Sequence, residues 1–169
     1  MPIDVIIQKG RGEISMGAAE DAVHALSNPY RWDLVVFSAR DFPPPPQALT
    51  DLSRKVATYH VSLSDDGQLS KQEAFAASVA ANVVANYFTS GKRVLVTCMA
   101  GRNRAGLVVA LALRALSGSS GAAAARHVKA RRLRVEGEAL TNPTFVNLLN
   151  KLAAARPDVR RHVALDRTG

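Results

Sequence analysis

The chain is short of cysteine, of aromatic residues, of acidic charge and of long apolar runs, and each shortage excludes something. Cys98 is the only cysteine, so no intramolecular disulfide can staple the fold. No positively charged start is followed by an apolar signal segment, and a reducing, cytoplasmic setting is therefore expected. The longest apolar stretch near the cysteine, Leu107 to Leu113, stops at Arg114. That is far too short to cross a bilayer, so no membrane insertion is expected. Aromatic residues make up 5% of the chain; single-strand nucleic-acid binders need stacking platforms, so nucleic acid is a possible partner but not the favoured one. Against 14 Asp and Glu stand 22 Lys and Arg, a net charge of +8, which favours anionic partners without choosing among phosphorylated protein, nucleic acid and lipid headgroup. His24, His60, His127 and His162 have no metal-ligand spacing among themselves or with Cys98, and no metal is expected.

What is present is enough apolar content for a core. With 169 residues and 47% hydrophobic composition, residues 1–169 read as one globular domain. Short β-branched runs, DVII (4–7), LVVF (34–37), YHVSL (59–63) and RVLVT (93–97), predict buried strands. Ser70 and Glu73 form a capping-box signature, and Phe75, Val79, Val83 and Tyr87 follow at intervals of four, predicting an amphipathic helix over 70–89 with that stripe inward. Asn142 and Pro143 start another helix, with Phe145, Leu148, Leu149 and Leu152 on its buried face. The proline run Pro43 to Pro46 and the stretch SGSSG at 117–121 punctuate the chain. Strands alternating with helices predict an α/β fold, a mainly parallel central sheet of about four to five strands flanked by helices. In such sheets ligands bind at the carboxyl ends of the strands.

Cys98 lies at one such end. Within TCMAGRNRAG, Cys98 and Arg104 are six positions apart with Gly101 between them, after a strand and before an apolar helix. A tight loop running into a helix N-terminus turns backbone N–H groups inward and makes a nest for a tetrahedral oxyanion. The amides of Met99, Ala100, Gly101, Arg102, Asn103 and Arg104 are the candidate donors, and Arg104 adds a guanidinium fork. The same field favours a thiolate at Cys98.

The segment resembles the Cys-x5-Arg phosphate-binding loop of the cysteine-dependent protein tyrosine phosphatases, and the short chain looks most like the dual-specificity branch. The resemblance runs from the strand at 34–37 to the helix at 143–154. It implies a general acid at Asp66, which precedes Cys98 by 32 residues, with its neighbour Asp65 as the alternative. It also implies an additional anion-binding role for Arg132, 34 residues after Cys98, and a closing pattern in RRLRVEGEALTNPTFVNLL. Two positions depart from the family: Thr97 stands where His is usual and Ala105 where a hydroxyl is usual. Both departures bear on rate, the second on breakdown of a phosphocysteine intermediate.

The activity implied is metal-free and cofactor-free hydrolysis of phosphotyrosine, with phosphoserine and phosphothreonine as further substrates, in proteins. Two rivals keep the chemistry and change the substrate. Cys98, Gly101, Asn103, Arg104 and Gly106 also look like the loop of the RNA 5′-phosphatase branch, and a basic rim suits a phosphoinositide. A third rival is a phosphate-binding interaction module in which Thr97 and Ala105 mark lost catalysis. The basic run at 126–134 reads first as a solvated helix face, and SARDF at 38–42 as a connecting loop able to form a pocket wall.

Overall fold

The structure, a computed structural model, describes residues 3–27, 31–42, 56–132 and 138–154. The chain opens with a hairpin: β1 (Asp4–Lys9) turns at Gly10, whose φ is +58°, into β2 (Gly12–Ala18), antiparallel to it. A glycine in the left-handed region is what a tight hairpin turn asks for. Helix α1 (Ala19–Ser27) follows, then β3 (Leu34–Phe37), β4 (Ala57–His60), α2 (Lys71–Thr89), β5 (Arg93–Cys98), α3 (Arg104–Ser117), α4 (Gly121–Arg131) and α5 (Pro143–Asn150). The strands form one sheet in the order β1-β2-β5-β3-β4, and every pair except β1–β2 is parallel. The expected α/β architecture is therefore found, with five strands.

Strand alternation divides the core between the two faces. Val94 and Val96 of β5 join Leu34 and Val36 of β3 under α2 and α3, whereas Leu95, Val35 and Phe37 face α1, packing with Ala22, Ala25 and Trp32. Helix α3 is apolar all round because it is covered all round: Leu107, Val108, Val109, Ala110 and Leu113 are fully buried. It ends at Gly118 in the left-handed region, φ +68°, as a helix C-terminus commonly does.

Two expectations change. β2 was not anticipated, because GEISMGA offers only Ile14 and Met16 as strand-forming apolar residues, yet all seven positions are buried. Its buried Glu13 is satisfied by Ser15 Oγ at 2.7 Å and by a two-pronged Arg31 contact at 2.8 and 3.1 Å. The buried face of α2 is also not the stripe at intervals of four. Phe75 is 71% exposed, and the core side is Ala77, Ala80, Ala81, Val84, Ala85 and Phe88. Small side chains let α2 lie close against α3 and the sheet, a fit that a Phe–Val–Tyr stripe would prevent. The proline run, at 43–46, lies outside the described residues.

Candidate functional site

Because β2, β5, β3 and β4 are parallel neighbours, their carboxyl ends arrive side by side: Ala18 pairs with Cys98, Phe37 with Thr97 and Phe37 with His60. The segments leaving those ends build the site. After β5, residues 99–103 form the loop and Arg104 begins α3. Met99 and Ala100 face solvent while Gly101, Arg104 and Ala105 are buried.

Gly101 is where the loop turns. Its φ is +61°, and a Cβ there would stand 2.5 Å from the Gly17 carbonyl oxygen and 2.6 Å from Arg132, so no larger residue fits. Its N–H donates to the Cys98 carbonyl at 3.3 Å. This amide is thus spent inside the turn, a correction to the expectation that it faces a bound anion. The Met99 carbonyl accepts from Ala19 N–H of α1 at 3.2 Å, which fastens the loop to β2's end.

Cys98 is a free thiol, 4% exposed. Arg104 has a side chain only 7% exposed, and its Nη1 donates to Asp41 Oδ1 in a short contact. Its Nε is buried with no hydrogen-bond partner. Burial works against the guanidinium's charge, but the Asp41 hydrogen bond and the charges of Cys98, Asp41 and Asp65 together hold its pKa above the ordinary value. In return the Arg104 hydrogen bond, the largest influence on it, holds the Asp41 carboxyl below its ordinary range. Sequence reasoning left Asp41 in an unassigned loop. The signal available was topological: β3 is the parallel neighbour of the cysteine's strand, so the residues after it must border the loop.

The two acid candidates separate. Asp65 is half-buried, and its carboxylate accepts from Asn103 Nδ2 at 3.2 Å and from Asn142 Nδ2 at 2.7 Å. Asp66 is exposed and accepts from Ser64 Oγ at 2.7 Å. The residue brought beside the phosphate loop is therefore Asp65, against the order that spacing gave. The two asparagine amides select Asp65, five residues beyond the end of β4. Asn103 was expected to contribute its backbone amide and Asn142 to cap a helix; a role for their side chains in holding Asp65 was not read from the sequence. Asn103 Oδ1 accepts from Thr141 N–H at 2.8 Å and Asn142 N–H at 3.2 Å, while Asn142 caps α5 through Thr144 N–H. Thr144 Oγ1 also donates to the Gly67 carbonyl in a short contact. The loop carrying Asp65 is thus tied down from the loop after β5 and from α5.

Arg132 does not line an open subsite. It is 2% exposed, its Nη1 donates to Asp4 Oδ2 at 2.6 Å, and its Nε donates to the Gly101 carbonyl at 3.0 Å. The expected anion-binding role is corrected: Arg132 braces the back of the loop and carries its own counter-ion. Thr97 is equally committed, its Oγ1 donating to the Val36 carbonyl at 3.2 Å across the β5–β3 pair. Among the described residues no helix is long and apolar enough to cross a membrane.

No family model matches the chain, and no curated protein matches it. Solved structures do. Human DUSP28 is 25% identical, with a TM-score of 0.67 over 89% of this chain and 92% of that one. Tk-PTP in its active form is 24% identical, with a TM-score of 0.66 over 88% and 95%. PTPMT1, a structure of which in complex with PI(5)P is equally similar, is 16% identical, with a TM-score of 0.63 over 88% and 92%. The mostly parallel five-stranded sheet and its flanking helices thus place this chain in the fold superfamily of the cysteine-dependent tyrosine and dual-specificity phosphatases.

Proposed function

We propose that the protein is a cysteine-dependent phosphomonoesterase acting on phosphotyrosine, and on phosphoserine or phosphothreonine, in proteins. The observation that carries this is Arg104: a guanidinium 7% exposed, in electrostatic contact with Cys98, with a buried Nε–H and no partner for it. A buried unpaired donor is costly, and a tetrahedral oxyanion above Cys98 satisfies it.

In the proposed reaction the Cys98 thiolate attacks phosphorus in line. The S–P bond forms as the P–O bond to the leaving alkoxide or phenoxide breaks. Arg104 and the amides of Met99, Ala100, Arg102, Asn103 and Arg104 hold the equatorial oxygens, and this positioning and charge stabilisation provide most of the catalysis in phosphoryl transfer. Asp65, held by Asn103 and Asn142, gives its proton to the leaving oxygen. It then takes a proton from the water that displaces Cys98 from the phosphocysteine. Phosphate leaves and the thiolate is restored.

The test is turnover of a simple aryl phosphate. The purified protein is expected to release the phenol, to be blocked by vanadate, and to lose all turnover in Cys98→Ser. No turnover by the wild type, with phosphopeptide binding retained, would instead establish a binding module. Phosphotyrosine and phosphoserine peptides, 5′-triphosphate RNA and PI(5)P assayed side by side would rank the substrate classes.

A further inference from the structure

The chain carries a net charge of +8, yet its described cations do not crowd the mouth of the phosphate loop. Among the described residues, the side chains around that mouth are chiefly carboxylates. Asp41 sits on Arg104 with its side chain 56% exposed, Asp65 is half-buried beside Asn103, and Asp66 is exposed next to it. The cations of the same neighbourhood are committed elsewhere. Arg40 pairs with Glu73 at 2.9 Å, Arg102 donates through its Nε to the Glu138 carbonyl at 3.0 Å, and Arg132 is buried on Asp4.

We propose that Asp41 is a specificity-determining residue. It selects phosphoryl groups whose neighbours are neutral or basic and rejects those carrying a second negative charge beside the phosphate. The proposal rests on the phosphatase reading of the Cys98 loop and narrows its substrate to phosphorylated residues in basic surroundings.

Asp41 is held where this requires. Ser38 donates through both N–H and Oγ to the Thr97 carbonyl, at 2.8 and 2.6 Å, and Arg40 N–H donates to the Leu63 carbonyl at 3.1 Å. The segment delivering Asp41 is thus bonded to both flanking elements, and the carboxylate cannot drift from the rim at little cost. Its contact with Nη1 leaves the buried Nε of Arg104 for the phosphate, so a bound phosphoryl group and Asp41 share one guanidinium. With the cradle's strongest cation already divided between them, a second anion next to the phosphate meets the Asp41 carboxylate without a compensating charge. Like charges placed together in a partly desolvated rim select against a partner more than they affect raw affinity. A Lys or Arg beside the phosphorylated residue gains where the anion loses.

The experiment compares kcat/KM for two phosphotyrosine peptides of equal length, one flanked by Lys and Arg and one by Asp and Glu, at low and high salt. In wild type the basic-flanked peptide is expected to be preferred by at least about tenfold at low salt, with the preference shrinking as salt screens it. Asp41→Asn is expected to reduce the preference about fivefold and Asp41→Lys to reverse it. Any effect of these variants on Arg104 itself falls on both peptides and cancels in the ratio. The wild-type preference and its salt dependence need no variant at all. Absence of that preference, or a ratio unmoved by both substitutions, overturns the proposal while leaving hydrolysis intact. Conversely, if wild type fails to hydrolyse aryl phosphate but Cys98→Ser still binds the basic-flanked peptide more tightly, the catalytic reading falls and the selectivity stands.

Discussion

Asp65 and Asp66 are adjacent in the chain and differ in almost everything else. One is held by two asparagine amides next to the phosphate loop, the other lies in solvent on Ser64. A proton donor must reach the leaving oxygen before its acidity matters, so the roles follow from placement. Asp65→Asn is expected to lower kcat about 10²–10⁴-fold on phosphotyrosine and phosphoserine peptides, and much less on an aryl ester with a strongly acidic phenol. Asp66→Asn is expected to stay within about threefold of wild type on both. Steady-state rates on the two substrate types decide it, and the opposite ranking would return the role to Asp66. Cys98 and Arg104 were legible in the sequence because a strand, a glycine turn and a helix surround them in a fixed order. Which of two neighbouring aspartates meets the loop was not, because linear spacing ignores the packing of α5 and the Asn103 and Asn142 amides that hold Asp65.

At the level of elements, Glu73 joins three of them. It closes the capping box of α2 with Ser70, accepts from Ser64 N–H of the acid-bearing loop at 2.9 Å, and pairs with Arg40 after β3. Burial pushes its pKa up, but the amides of Ser70 and Ser64, the Ser70 hydroxyl and the Arg40 charge outweigh it, and its carboxyl is held below the ordinary value of 4.5. A depressed folded-state pKa gives stability that is present in full above the unfolded value and is lost as pH falls through the folded one. Glu73→Gln is therefore expected to cost about 1–2 kcal/mol at pH 7. The gap to wild type should narrow as pH falls below the ordinary carboxylate range and Glu73 takes up its proton, read by urea unfolding at several pH values. A gap constant with pH would mean that the charge contributes nothing. The capping box placed this helix correctly from sequence, yet its inward face was misread. Period alone counts bulky residues, whereas the close approach of α2 to α3 is made by alanines, whose signal is their smallness. β2 escaped for a related reason: four of its seven buried residues are Gly, Ser and Glu, the Glu made tolerable by partners such as Arg31 that lie elsewhere in the chain.

For the whole molecule, the sign of the net charge and the location of that charge carry different information. Four of the described basic residues sit at the amino ends of the parallel strands, where Arg11, Arg31, Lys92 and Arg93 line a cleft of about 530 Å³ with Glu13 and Asp33. Both carboxylates there are already engaged, Glu13 by Arg31 and Asp33 by Lys92 and the Arg93 amide. Cys98 ends the strand that Arg93 begins, about 17 Å away at the usual rise of a strand. That is about two screening lengths at physiological salt, so this basic end contributes little field at the phosphate loop. Composition showed a basic protein, and a basic protein reads as one that draws polyanions to its working surface; among the described residues, four of its cations instead sit at the end of the sheet away from Cys98. Raising salt from about 150 to 500 mM is accordingly expected to change kcat/KM for a small aryl phosphate less than about threefold. Reversing the far end with Arg11→Glu and Lys92→Glu should leave that value within about twofold, even as it weakens retention of the protein on a polyanion column. A steep salt dependence, abolished by the double substitution, would mean that the field of the basic end reaches the mouth and steers substrate after all.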